Sequence, residues 1–148
     1  MKPASILLAA AAILMPAQAI AAPLCATLKQ VLPFAKKDKW MEALKTGEGE
    51  YGEWIASKQI DGFKCVITKG TTPTMVRGFF NCTWAGTKET QPTAATVEAV
   101  GKCFGVTAKV EEKSYATTWI FDLQPTPRIW VAVNSFKSGK LSFSLIAE

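Results

Sequence analysis

An α+β domain of two layers, a mostly antiparallel sheet packed by two helices, follows from three observations. Two segments carry apolar residues at helical spacing, and at least five runs have the alternation and bounding turns of strands. Four cysteines lie where two disulfides can tie those segments together. The expected order is α–ββ–α–βββ, with room for one further short strand.

The domain is preceded by an export signal over residues 1–21. Lys2 supplies the positive end, Ile6 to Met15 is an uncharged apolar run, and Pro16 breaks it before a small-residue stretch ending in Ala19-Ile20-Ala21. Cleavage fits after Ala19 or Ala21, and Pro23 behind Ala22 disfavours a later cut, so Ala21 is preferred. A membrane anchor fits less well, because Pro16 and Pro23 interrupt a run only about half the roughly 20 residues a span requires. Pro23-Leu24 before Cys25 also lacks the small residues of a lipidation signal.

Residues 22–148 then form a single domain, large enough to bury roughly two thirds of its unfolded surface. Leu24 to Thr46 reads as helical, with Leu28, Val31, Leu32 and Ala35 as its apolar stripe and Pro33 expected to kink or divide it. Asp38 is a candidate cap for a second piece carrying Trp40, Met41 and Leu44, with Gly47 as its stop. Gly47 to Gly52 reads as a loop. Phe63 to Thr68 and Met75 to Ala85 read as strands of a hairpin about Pro73-Thr74, which sets Cys65 opposite Cys82.

Thr90-Gln91-Pro92 opens the second helix, Val97, Val100 and Phe104 form its buried stripe, and Gly105 ends it. Val106 to Val110 reads as a short edge strand, and Thr117 to Leu123 as a strand with Trp119 and Phe121 on one face. Ile129 to Phe136 and Leu141 to Ile146 make a hairpin joined by Lys137-Ser138-Gly139-Lys140. A four-residue connection sets Phe136 opposite Leu141 and Asn134 opposite Phe143. No internal sequence repeat is evident.

The cysteines number four and none forms a Cys-x-x-Cys pair, which removes support for a thioredoxin-like or zinc-ribbon role. In an oxidising compartment the expected bridges are Cys65–Cys82 and Cys25–Cys103. Loop-entropy arithmetic assigns them upper contributions of roughly 3 and 4.5 kcal/mol.

Function is constrained mainly by missing chemistry. The sequence has no histidine, which removes Ser-His-Asp and Cys-His sites and His-ligated zinc. No phosphate loop is present: Gly47-Glu48-Gly49-Glu50-Tyr51-Gly52 carries carboxylates where a phosphate needs donors. The formal charge of the exported part is +4, one less than the +5 of the whole sequence because Lys2 is lost. No cofactor and no nucleic-acid partner is expected.

Large amphipathic side chains on loops are typical anchors for partners, and Tyr51 and Trp54 stand in or beside the glycine-rich acidic stretch. Those two are the candidate binding residues, although Trp54 folded back over the core is an equal expectation. The function expected is an exported non-catalytic protein-binding module of the periplasm or exterior, such as an inhibitor, immunity-type protein, chaperone or secretion accessory. A small envelope hydrolase using paired carboxylates, or a carrier of a small apolar ligand, are the alternatives. A homodimer is compatible with either.

Overall fold

The computed structural model describes residues 18–72 and 75–148, with side chains over 19–70 and 77–148. Most of the expected signal, and the tip of the Pro73-Thr74 hairpin, lie outside the described residues. Helix α1 (Gln18–Lys37) runs unbroken through Pro23 and Pro33, so the expected division at Pro33 does not occur. Pro33 and Lys29 are both exposed, and water can complete the Lys29 carbonyl that the proline leaves without its helical donor. Leu24, Leu28, Val31 and Ala35 form the fully inward stripe.

The second helical piece is replaced by extended chain. Asp38 bonds the turn that follows, its carboxylate accepting from the backbone N–H of Trp40 and of Glu42, both at 2.9 Å, but the cap position of the 3₁₀ turn falls to Met41. Met41 then adopts a left-handed conformation with φ 53°, which stops helix propagation and leaves one 3₁₀ turn over Glu42–Leu44. Two strands follow: β1 (Lys45–Glu48) spans the end of the expected helix and the start of the expected loop, and β2 (Trp54–Ala56) forms just beyond that loop. The partner of β2, β3 (Phe63–Thr72), outruns it, and the Gln59 amide fills the gap. It donates to the Cys65 carbonyl at 2.8 Å and accepts from the Cys65 N–H at 2.9 Å.

The chain continues through β4 (Met75–Trp84), helix α2 (Thr93–Phe104), β5 (Lys109–Glu112), β6 (Ala116–Pro125), β7 (Arg128–Phe136) and β8 (Leu141–Ala147). Gly105 closes α2 in the left-handed conformation with φ 65°, its N–H bonding to the Gly101 carbonyl. The eight strands form one antiparallel sheet in the order β1-β2-β3-β4-β8-β7-β6-β5. A helix followed by a four-stranded meander thus occurs twice, and the two meanders join where β4 pairs β8. This architectural repeat leaves no trace in the sequence.

Both helices lie on one face of the sheet and cover Phe63, Cys65, Ile67, Phe80, Cys82, Phe121 and the inward residues of β7 and β8. The β7–β8 register differs from the expected one by a residue. Ser135 opposes Leu141 and Asn134 opposes Ser142. The cause is Gly139, whose φ of 90° turns the connection into a three-residue loop closed by the Phe136 N–H on the Lys140 carbonyl at 2.8 Å. A shift of one moves side chains between faces. Ile129, Val131 and Val133 therefore face the helices with Leu141, Phe143 and Leu145, while Trp130 and Ala132 share the opposite face with Ser142, Ser144 and Ile146.

Both expected disulfides are present. Cys65–Cys82 joins directly opposed residues of β3 and β4, with Cα atoms 4.0 Å apart. Cys25–Cys103 ties α1 to the last turn of α2, closing a separation of 78 residues. Among the described residues no helix is long and apolar enough to cross a membrane.

Candidate functional site

The β1–β2 hairpin ends in a tight turn. Gly47 faces Ile55 and Glu48 faces Trp54, and the Gly49 N–H closes on the Glu53 carbonyl at 2.8 Å. The turn itself is Glu50-Tyr51-Gly52-Glu53, with the Glu53 N–H bonded back to the Glu50 carbonyl at 3.1 Å. Its two central residues both have positive φ, 55° at Tyr51 and 77° at Gly52. That is the type I′ pattern, which matches the right-handed twist of a hairpin and selects Asn, Asp or Gly at both positions. Tyrosine at the first of them is out of place on conformational grounds.

Tyr51 is 98 % exposed, the most exposed large apolar side chain among the described residues. Glu48 and Glu50 beside it are exposed, Glu53 is half-buried, and among the described residues none of the three forms an ion pair. The tip is therefore a phenol ringed by uncompensated negative charge on a chain that is basic as a whole.

Trp54 has a different environment. It pairs with Ile67 on β3, packs against the core, and carries the Lys45 ammonium 3.7 Å from its ring centroid. Lys45 is in turn held by Glu42 at 2.8 Å. The ring anchors the hairpin to the body of the domain and is only half-buried. Behind the turn, Glu48, Gly49, Gly52, Glu53 and Trp54 line a hollow of about 210 Å³.

The carboxylates of the β5–β6 region are engaged elsewhere. Asp122 receives Lys109 at 3.0 Å and Arg128 at 3.4 Å, and the Lys109 hydrogen bond leads the effects that hold its pKa below the ordinary value. Glu112 accepts from the Thr117 hydroxyl at 2.8 Å, and Glu111 lies 3.8 Å from Lys113. Among the described residues no three acidic or cysteine groups gather as a metal site.

Two features of the surface carry no sequence signal of their own. On the helix-free face, Trp130, Ala132 and Ile146 are nearly buried, with Phe79 and Ile120 packed beside them. The Arg128 and Arg77 guanidinium groups lie 4.4 and 5.2 Å from the Trp130 ring. This patch depends on the β7–β8 register, which the loop length alone does not reveal. Between the helices, Ala21, Ala22, Ala95, Ala99 and the Cys25–Cys103 bridge line an open hollow of about 400 Å³. The gap between the helices and the sheet, lined by Leu32, Phe104, Val106 and Leu123, is only about 110 Å³, small against the roughly 300 Å³ or more of a typical ligand pocket.

No protein family, no curated protein and no solved structure was found to match the chain.

Proposed function

We propose that this chain is an exported, non-catalytic protein-binding module whose β1–β2 hairpin tip inserts Tyr51 into a basic surface of another protein. The observation that carries the proposal is Tyr51 itself: an almost fully exposed aromatic residue in a left-handed conformation. A backbone outlier at an exposed tip is the kind of strain that sites of recognition retain. A tyrosine with two side-chain torsions also makes an anchor that loses little entropy on docking. Glu48, Glu50 and Glu53 supply the electrostatic complement that would speed encounter with a basic partner.

Trp54 has a supporting role in this proposal, holding the hairpin at its base. Two disulfides accord with an oxidising destination. Ile20 and Ala21 pack against the core, which favours cleavage after Ala19 over cleavage after Ala21 because the former keeps both contacts. N-terminal sequencing of the exported protein should then read Ile20 first.

The test uses the purified exported chain as bait against an envelope and culture-fluid extract of its own host. Wild type, Tyr51→Ala and Tyr115→Ala are compared by quantitative mass spectrometry. Tyr115 is 58 % exposed on a different turn and serves as the control. The expected result is a protein retained by wild type and Tyr115→Ala and lost by Tyr51→Ala, with about 2 kcal/mol of binding removed. Equal retention by all three would refute the hairpin as the contact. A hydrolase using Glu48 and Glu53 is the second reading, favoured only by the hollow that these two share.

A further inference from the structure

The two edges of the sheet are unlike. At the β1 edge the ladder is irregular between Lys45 and Gly47, and the Thr46 hydroxyl is spent on the Ile55 carbonyl at 3.0 Å. A bulged edge resists further pairing. At the other edge β5 keeps a regular register with β6 from Lys109↔Ile120 to Glu112↔Thr117, and among the described residues no strand covers its outer side. All four of its residues are exposed, and Val110, a β-branched residue at 55 % exposure, stands in the middle.

We infer that β5 is a self-pairing edge, joining a second copy of this chain antiparallel across a twofold axis through Val110. Symmetry restricts the choice of register, because a twofold axis perpendicular to the sheet keeps each residue on its own face. Centring on Val110 sets Val110 against its own copy and Lys109 against Glu111 of the second copy, twice. Lys109 and Glu111 share the helix-free face, being two apart on the strand. Centring on Glu111 instead sets two carboxylates together and Lys109 against Lys113, both repulsive pairings. The sequence Lys-Val-Glu is therefore complementary to itself in one permitted register and self-repelling in the next.

Lys109 already reaches Asp122 on its own copy at 3.0 Å, and an ammonium group has further donors for a second carboxylate. The paired strands are short, so the dimer is weak, with a dissociation constant in about the micromolar range. The surface is independent of the proposed Tyr51 contact, since β1 and β5 are opposite edges of the sheet. A dimer through β5 would leave both hairpin tips free.

Sedimentation equilibrium of the purified chain over a wide concentration range tests this directly. Wild type should show a reversible monomer–dimer equilibrium. Lys109→Glu places a carboxylate opposite Glu111, and Glu111→Lys places an ammonium opposite Lys109, so each variant alone should weaken the dimer by about ten-fold or more. Mixing the two single variants should restore association, because each chain then carries one sign of charge along the edge. Circular dichroism confirms that each variant is folded. A wild type that stays monomeric at millimolar concentration, or a dimer that neither reversal weakens, would overturn the inference.

Discussion

At the scale of single residues, Tyr51 sits where the backbone disfavours it. A left-handed conformation costs a residue with a Cβ roughly 1–2 kcal/mol, and asparagine tolerates it far better. Tyr51→Asn should therefore raise stability by about 0.5–1 kcal/mol, read as an increase of a few degrees in thermal midpoint. Few surface substitutions chosen at random do this.

Asp122 makes a second residue-level prediction, concerning pH. Its folded pKa lies below its ordinary value, chiefly through the Lys109 hydrogen bond, so the folded state binds this proton less readily than the unfolded chain. The stabilisation is present above the unfolded carboxylate value and is lost as pH falls through the folded value. The side chain is 38 % exposed, and solvent screening holds the effect to about 0.5 kcal/mol. Asp122→Asn should accordingly be slightly less stable than wild type in urea titrations at neutral pH. The difference should vanish in strong acid.

At the scale of elements, Gly78 connects two parts of the fold. A Cβ at this position on β4 would collide with the Lys39 carbonyl and the Trp40 backbone, and neither can move as a flexible side-chain end would. Gly78→Ala should cost about 2 kcal/mol or more in denaturant unfolding by prising the segment after α1 off the sheet. That segment is also where the fold departs most from the helical expectation. Trp40, Met41 and Leu44 after a candidate cap at Asp38 suit a helix, but a left-handed Met41 breaks it, and nothing in its side chain announces this. β1 carries no strand signal because Lys-Thr-Gly-Glu has no apolar alternation, and an edge strand with exposed residues needs none. The disulfides were legible because each links elements that were themselves correctly recognised. The β7–β8 register differs from the expected one because it depends on the loop, where one glycine separates a three-residue connection from a four-residue one.

At the scale of the whole molecule, the sheet is organised as two meanders back to back, with both helices and the Cys25–Cys103 bridge on one side. Its central strands bury the apolar residues, and its two end strands, β1 and β5, are largely exposed. The β1–β2 end carries a strained aromatic among carboxylates, and the β5 end carries a regular, self-complementary edge. Dimerisation through the latter would display two copies of the former, and a partner with two sites would then be held by avidity beyond either contact alone. Of the candidate contact residues, Tyr51 and Trp54 were both visible in the sequence as aromatics flanking glycines. Their different environments were not, because exposure depends on Lys45 and β3, which are close to Trp54 only in the folded chain.

The central claim is that Tyr51 is kept for binding at a cost to folding, and Tyr51→Asn tests it in one comparison. Thermal midpoint and partner retention are measured on the same preparations of wild type and variant. The account predicts a higher midpoint together with loss of the retained protein. A lower midpoint, or undiminished retention, would contradict it.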